Sequence, residues 1–161
     1  MIKILFHQAS SLMTTGSLTF LVTLMFAMAS IQISRAQTIV ISEFMASNGQ
    51  TTIDDEDNRS DWIELHNPGF SATNLEGWAL TDDPTHTDIW TFPSITLFPN
   101  SYLVVFASNK DRKNPGAPLH TSFNLNREGE YLALLDPDGN PSTEFAPAYP
   151  EQTTDVSYGR G

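Results

Sequence analysis

From Gln37 onward, turn-forming residues interrupt this chain roughly every 8–15 residues, and no segment between them sustains a 3.6-residue apolar stripe for three helical turns. That rhythm rules out a helical bundle and leaves short strands as the building unit. Asp61-Trp-Ile-Glu-Leu-His66 alternates with period two, putting Ile63 and Leu65 on one face and Trp62, Glu64 and His66 on the other before Asn67-Pro-Gly69 breaks the strand. Thr38–Met45 and Asp88–Phe92 read as strands, the second ending at Pro93, and a turn around Gly77 leads into another strand from Trp78. Ser101–Ala107 is the most continuously apolar run and is expected to be a central strand. Residues 108–118 are polar, basic and rich in Pro and Gly, as in a long exposed loop. Glu130–Leu135 leads into the tight turn Asp136-Pro-Asp-Gly-Asn140, and Thr154–Tyr158 can supply a last strand. The expectation is an all-β chain, a sandwich or barrel.

The first 36 residues differ in kind. Lys3 provides a positive start, Leu18–Ala29 is apolar and uncharged, and Ser34-Arg35-Ala36 sets small residues at the −3 and −1 positions of a cleavage site before Gln37. This is the plan of a secretory signal peptide (1–36), with a second cut position after Ala29 and an uncleaved N-terminal anchor as the rival reading. The expectation is a secreted or cell-surface protein that touches membrane only through such an anchor. The body, 37–161, has six basic residues against 19 acidic ones once Lys3 and Arg35 are set aside, a net charge of −13 against −11 for the whole chain. Such a surface works against binding nucleic acid or an anionic bilayer. Lys110-Asp-Arg-Lys113 is the one basic cluster and is too small to reverse that. The chain has no cysteine, which excludes disulfides, thiol catalysis and thiolate metal sites.

The sharpest candidate site is Asp54-Asp55-Glu56-Asp57 with Asp61 close behind. Hard oxygen ligands crowded into one loop suit Ca²⁺, although the spacing departs from the EF-hand pattern and no glycine sits at the bend. A solvated, mobile loop is the other reading. No further cofactor is expected. His66, His86 and His120 are scattered without an i,i+4 pairing, and no Gly-x-Ser-x-Gly elbow is present. Trp62, Trp78 and Trp90 either form an exposed trio for stacking on carbohydrate or pack into the core. Core packing is expected for all three, although Trp62 shares a face with Glu64 and His66.

Several ordered phrases resemble the lamin-tail domain of the bacterial exported type: Ile41-Ser-Glu-Phe-Met-Ala-Ser-Asn48, Asp61-Trp-Ile-Glu-Leu-His-Asn-Pro-Gly69, Asn74-Leu-Glu-Gly-Trp-Ala-Leu-Thr-Asp82, Tyr102-Leu-Val-Val-Phe-Ala-Ser108 and Gly129-Glu-Tyr-Leu-Ala-Leu-Leu-Asp-Pro-Asp-Gly139. The resemblance implies an immunoglobulin-like β-sandwich over 37–161. It implies a non-catalytic binding or spacer module with a protein, glycan or surface partner, either standing alone or as the N-terminal part of a larger secreted protein. A calcium-stabilised adhesion module and a hydrolase are the alternatives. Within the shared phrases, Glu64 and Asn67 are expected to act structurally, Glu64 by taking a partner on a half-exposed strand and Asn67 by tolerating the turn before Pro68.

Overall fold

The computed structural model of the chain describes residues 39–86 and 89–159. The proposed signal segment, with its cut positions at Ala29 and Ala36, lies outside the described residues. Among these residues there are eleven strands and no helix. One sheet holds β1 (Val40–Met45), β2 (Asp61–His66), β7 (Tyr102–Ala107), β8 (Leu119–His120) and β11 (Tyr158–Gly159), in the order β11-β1-β2-β7-β8. The second holds β4 (Ala79–Thr81), β5 (Trp90–Thr91), β9 (Leu132–Leu135) and β10 (Pro141–Phe145), in the order β10-β9-β4-β5. A small ladder joins β3 (Thr73–Asn74) to β6 (Thr96–Leu97). All pairings are antiparallel except β7 with β8. The all-β expectation holds, as an immunoglobulin-like sandwich.

The core lies between the two sheets. Ile63 and Leu65 of β2 and Val105 of β7 meet Leu80 of β4 and Leu132 and Leu134 of β9, with Leu75, Trp78 and Trp90 in the same cluster. Each fully buried aliphatic or aromatic side chain contributes about 1.5–3 kcal/mol relative to exposure, so apolar burial holds a cysteine-free domain together. β2, bonded on both sides, is the middle strand of its sheet. β7 is bonded on both sides too, as its apolar run predicts, although its first half turns Tyr102 and Val104 to solvent.

One departure from strict alternation decides how β1 packs. Ile39 and Ile41 point inward, and continued alternation would bury Glu43. A register shift between Ile41 and Glu43 against β2 adds a residue at that point and puts Phe44 inward instead. Phe44 then packs against Phe145, Tyr149 and Tyr158 at centroid distances of 5.2, 4.7 and 5.5 Å. The amide of Ile41 beside the bulge donates to the Thr143 hydroxyl of β10 at 3.1 Å, which ties the two sheets together at that edge. The β9–β10 turn forms as expected, with Gly139 at φ 82° and the Asp136 carboxylate accepting from the amides of Asp138 and Asn140.

Candidate functional site

The loop between β1 and β2 returns on itself through Asp54, whose amide donates to the Asn58 carbonyl while its own carbonyl accepts from the amide of Asp57. Asp57 takes φ 59°, a left-handed conformation that Asp tolerates better than most residues. The Asp54 side chain is completely buried and accepts four bonds. Its Oδ1 takes the amides of Glu56 and Asn58 at 2.9 and 3.0 Å, and its Oδ2 takes the Ser60 hydroxyl at 2.8 Å and the Lys110 ammonium at 2.5 Å. Lys110 Nζ also reaches Glu56 Oε2 at 3.0 Å. Arg112 pairs with Glu56 Oε1, and its Nη1 lies 3.3 Å from Asp55 Oδ2. His120, wholly buried in β8, contacts Asp55 Oδ1 through Nε2 at 3.0 Å and the Ser108 hydroxyl through Nδ1 at 2.7 Å. The carboxylate accepts from the Nε2 side of the ring, and the hydroxyl meets Nδ1.

The strand pairing explains this convergence. β7 ends at Ala107, and the chain loops out through 108–118 before returning as β8 in parallel beside β7. Arg112 and His120 bond each other's backbone in both directions, at 2.9 and 3.0 Å, which closes the loop and turns Lys110 and Arg112 toward the acidic segment. The basic stretch read from sequence as an exposed loop is therefore half engaged.

Electrostatics follows from the partners. Burial opposes charging Asp54, but the hydrogen bonds from Lys110, Ser60 and the Asn58 and Glu56 amides outweigh it and hold the carboxyl well below the usual range. Arg112 and Lys110 hold Glu56 low as well. Burial would lower Lys110, yet its bonds to Asp54 and Glu56 leave it raised. All three groups are fixed in their charged forms.

Of the five acids proposed from sequence, the fold gathers Asp54, Asp55 and Glu56 around the two cations. Asp57 sits exposed at the turn. Asp61, at the start of β2, accepts the Asn48 amide at 2.9 Å, and its burial raises it above the ordinary carboxylate value. Asp54, Asp55 and His120 offer ligand atoms all within 4.8 Å of one another, the one such grouping among the described residues. That set mixes nitrogen with oxygen, unlike the all-oxygen shell that calcium prefers, and a metal there would compete with Lys110 and Arg112. His120 and Ser108 were not legible as members. Asp55 and His120 are 65 positions apart, and no local signal joins them.

The chain Ser108–His120–Asp55 has the residue types of a nucleophile relay. Here the imidazole is sealed in the interior beside Phe106, ring centroids 5.2 Å apart, and both of its nitrogens are taken up within the fold. Its evident work is to tie β8 to the acidic loop. The tryptophans form no common surface: Trp78 and Trp90 are core residues, and Trp62 is half-buried on the outer face of β2 opposite Phe106.

A second surface is built on Asn67. Sequence suggested a turn residue, but the side chain is fully buried and organises two loops. Its Nδ2 donates to the carbonyls of Ser71 and Leu97 at 2.9 and 3.0 Å, and its Oδ1 accepts the Gly69 amide at 3.0 Å. Its backbone exchanges bonds with Ser101 and Asn100. Beside it, His66 stacks on Tyr102 at 4.3 Å with an interplanar angle of 6°. Glu64 finds the partner expected of it, accepting from the Ser42 hydroxyl at 2.7 Å.

Compared with known proteins, residues 32–146 match the family described as Lamin Tail Domain, and no curated protein matches the chain. That family is a non-enzymatic, immunoglobulin-like domain, in agreement with the two sheets described above. With more than half of its length matched, the chain belongs to the lamin tail domain family.

Proposed function

We propose that the chain is a non-catalytic binding and spacer module of the bacterial exported type, working outside the cytoplasm as a rigid sandwich that presents loops to a partner. The carrying observation is that Asp54, Asp55 and Glu56, the acids with most chemical potential in the sequence, are paired with Lys110, Arg112 and His120 of the same chain. Groups committed to one another brace loops and are poorly placed to shuttle protons. The acidic, cysteine-free body and the signal-like first 36 residues support the extracytoplasmic setting.

Expression of the full chain with a C-terminal tag in a bacterial host tests the reading. Secreted protein whose N-terminus is Gln37 or Ser30 supports export, whereas cytoplasmic protein that keeps Met1 defeats it. Hydrolysis of a chromogenic ester that disappears in both Ser108→Ala and His120→Ala would overturn the non-catalytic assignment.

A further inference from the structure

In a body with a net charge of −13, the stretches 65–75 and 89–109 carry no Asp, Glu, Lys or Arg. They run through the neighbouring loops that Asn67 joins, between β2 and β3 and between β6 and β7. Three of the large exposed hydrophobic side chains lie on these loops or at their edge: Phe70, fully exposed, Phe98 at 63 % and Tyr102 at 56 %. Scattered surface hydrophobics are normal, but three exposed rings on two neighbouring, braced and uncharged loops are more than folding itself requires. His66, stacked on Tyr102, holds its Nε2 3.4 Å from the Asn100 Oδ1, so amide and imidazole groups stand among the rings.

We infer that this end of the sandwich binds a neutral polysaccharide, with Phe98 and Tyr102 as stacking platforms, Phe70 as a flanking ring, and His66 and Asn100 as hydrogen-bonding partners for sugar hydroxyls. The inference rests on the binding-module reading and names its partner class. Charge selects the occupant. An ionic ligand finds no counter-charge in either loop, and an anionic bilayer or a second copy of the chain is repelled by the acidic body. A neutral sugar chain offers apolar C–H faces to the rings and hydroxyls to the polar groups, which matches the mixture present. The loops are fixed by the buried Asn67, so little ordering remains to oppose binding.

The test uses the secreted product of the full chain, incubated with microcrystalline cellulose, chitin and insoluble xylan. Depletion from solution by at least one of them is expected, and it should persist in about 1 M NaCl, where the Debye length is ~3 Å. Phe98→Ser combined with Tyr102→Ser should weaken that binding roughly tenfold or more, a change of about 1.4 kcal/mol or above. Val156→Ser, which removes an exposed apolar side chain on the C-terminal segment, should not. Circular dichroism of each variant establishes that it is folded. Folded protein that ignores all three polysaccharides overturns the inference. So does binding that the double variant leaves intact, association with phosphatidylcholine vesicles through the same rings, or a dimer that the double variant abolishes. Because the starting material has already been secreted, these failures are distinct from a failure of export.

Discussion

Lys110 Nζ lies 2.5 Å from Asp54 Oδ2, joining two loops separated by 56 positions, with the carboxylate fully buried and the lysine side chain 21 % exposed. The asymmetry predicts unequal losses. Asp54→Ala strips four donors of their acceptor and leaves the ammonium with Glu56, and should cost about 2–4 kcal/mol. Lys110→Met leaves the carboxylate with Ser60 and two amides and should cost about 1–2 kcal/mol. Urea denaturation of both singles and the double, assembled as a cycle, should show the double costing less than the sum of the singles. Strict additivity would mean that the pair does not brace the loops.

Acid should act on this domain in two opposing ways. Asp54 is held low in the folded state, so its contribution is complete above the ordinary value of 3.8 and fades as the pH falls through the folded value. Asp61 and Glu130 are raised by burial, so the folded state grips their protons more tightly and each carries a penalty at neutral pH. That penalty is relieved as the pH falls toward their ordinary values of 3.8 and 4.5. Stability should hold or rise on acidification from neutral to the upper end of this range and then drop below it. In a series of urea midpoints against pH, Asp54→Asn should flatten the acid drop and Asp61→Asn should remove part of the preceding rise. An unchanged acid limb in Asp54→Asn would locate its source elsewhere.

The sequence is most transparent where a single strand decides its own faces. Period-two alternation at Ile63 and Leu65 predicts their burial, and the turn chemistry of Asp136–Asn140 predicts its hairpin. Legibility fails where one chain segment depends on a distant one. The bulge at Ser42 answers a register set by β2, and without it the pattern would bury Glu43 in place of Phe44. The acidic run announces its charge but not its partners, because Lys110, Arg112 and His120 arrive through the parallel β7–β8 pairing. Asn67 looks like an ordinary turn residue, since its burial depends on the β6–β7 loop folding over it.

Asn67 carries a prediction of its own. Asn67→Ala leaves the Leu97 carbonyl and the Gly69 amide without their partner in a buried setting, at about 2–3 kcal/mol. Asn67→Asp keeps the acceptor for Gly69 but faces two carbonyl oxygens with a carboxylate, so it should be at least as damaging. Hydrogen exchange should quicken at Ser101 and Asn100, whose amides bond within the loops that Asn67 joins. A stable Asn67→Asp would show that the two loops are held by other means.

Two glycines with similar backbones should respond differently to alanine. Gly129 has φ 96°, and a Cβ there would fall 2.3 Å from the Tyr149 carbonyl oxygen, backbone that cannot swing aside. Gly129→Ala therefore adds a clash to the conformational strain and should cost about 3 kcal/mol or more. Gly139 has φ 82° with nothing within 4 Å of the added carbon, so Gly139→Ala should cost about 1 kcal/mol, the backbone term alone. Equal thermal midpoints for the two variants would contradict this placement of Tyr149.

Calcium separates the braced-loop reading from the calcium-stabilised adhesion module. A ligand that binds only the folded state at 100 times its Kd adds about 2.7 kcal/mol, a shift of several degrees for a domain of this size. With Asp54 and Glu56 already saturated by Lys110 and Arg112, the midpoint in millimolar calcium should equal that in EDTA. Lys110→Met combined with Arg112→Met leaves Asp54, Asp55 and Glu56 crowded without those cations. That double variant should be destabilised in EDTA and partly restored by calcium. A calcium-dependent rise already present in the unaltered chain would mean that the ion displaces the lysine and arginine, and the adhesion-module reading would take precedence.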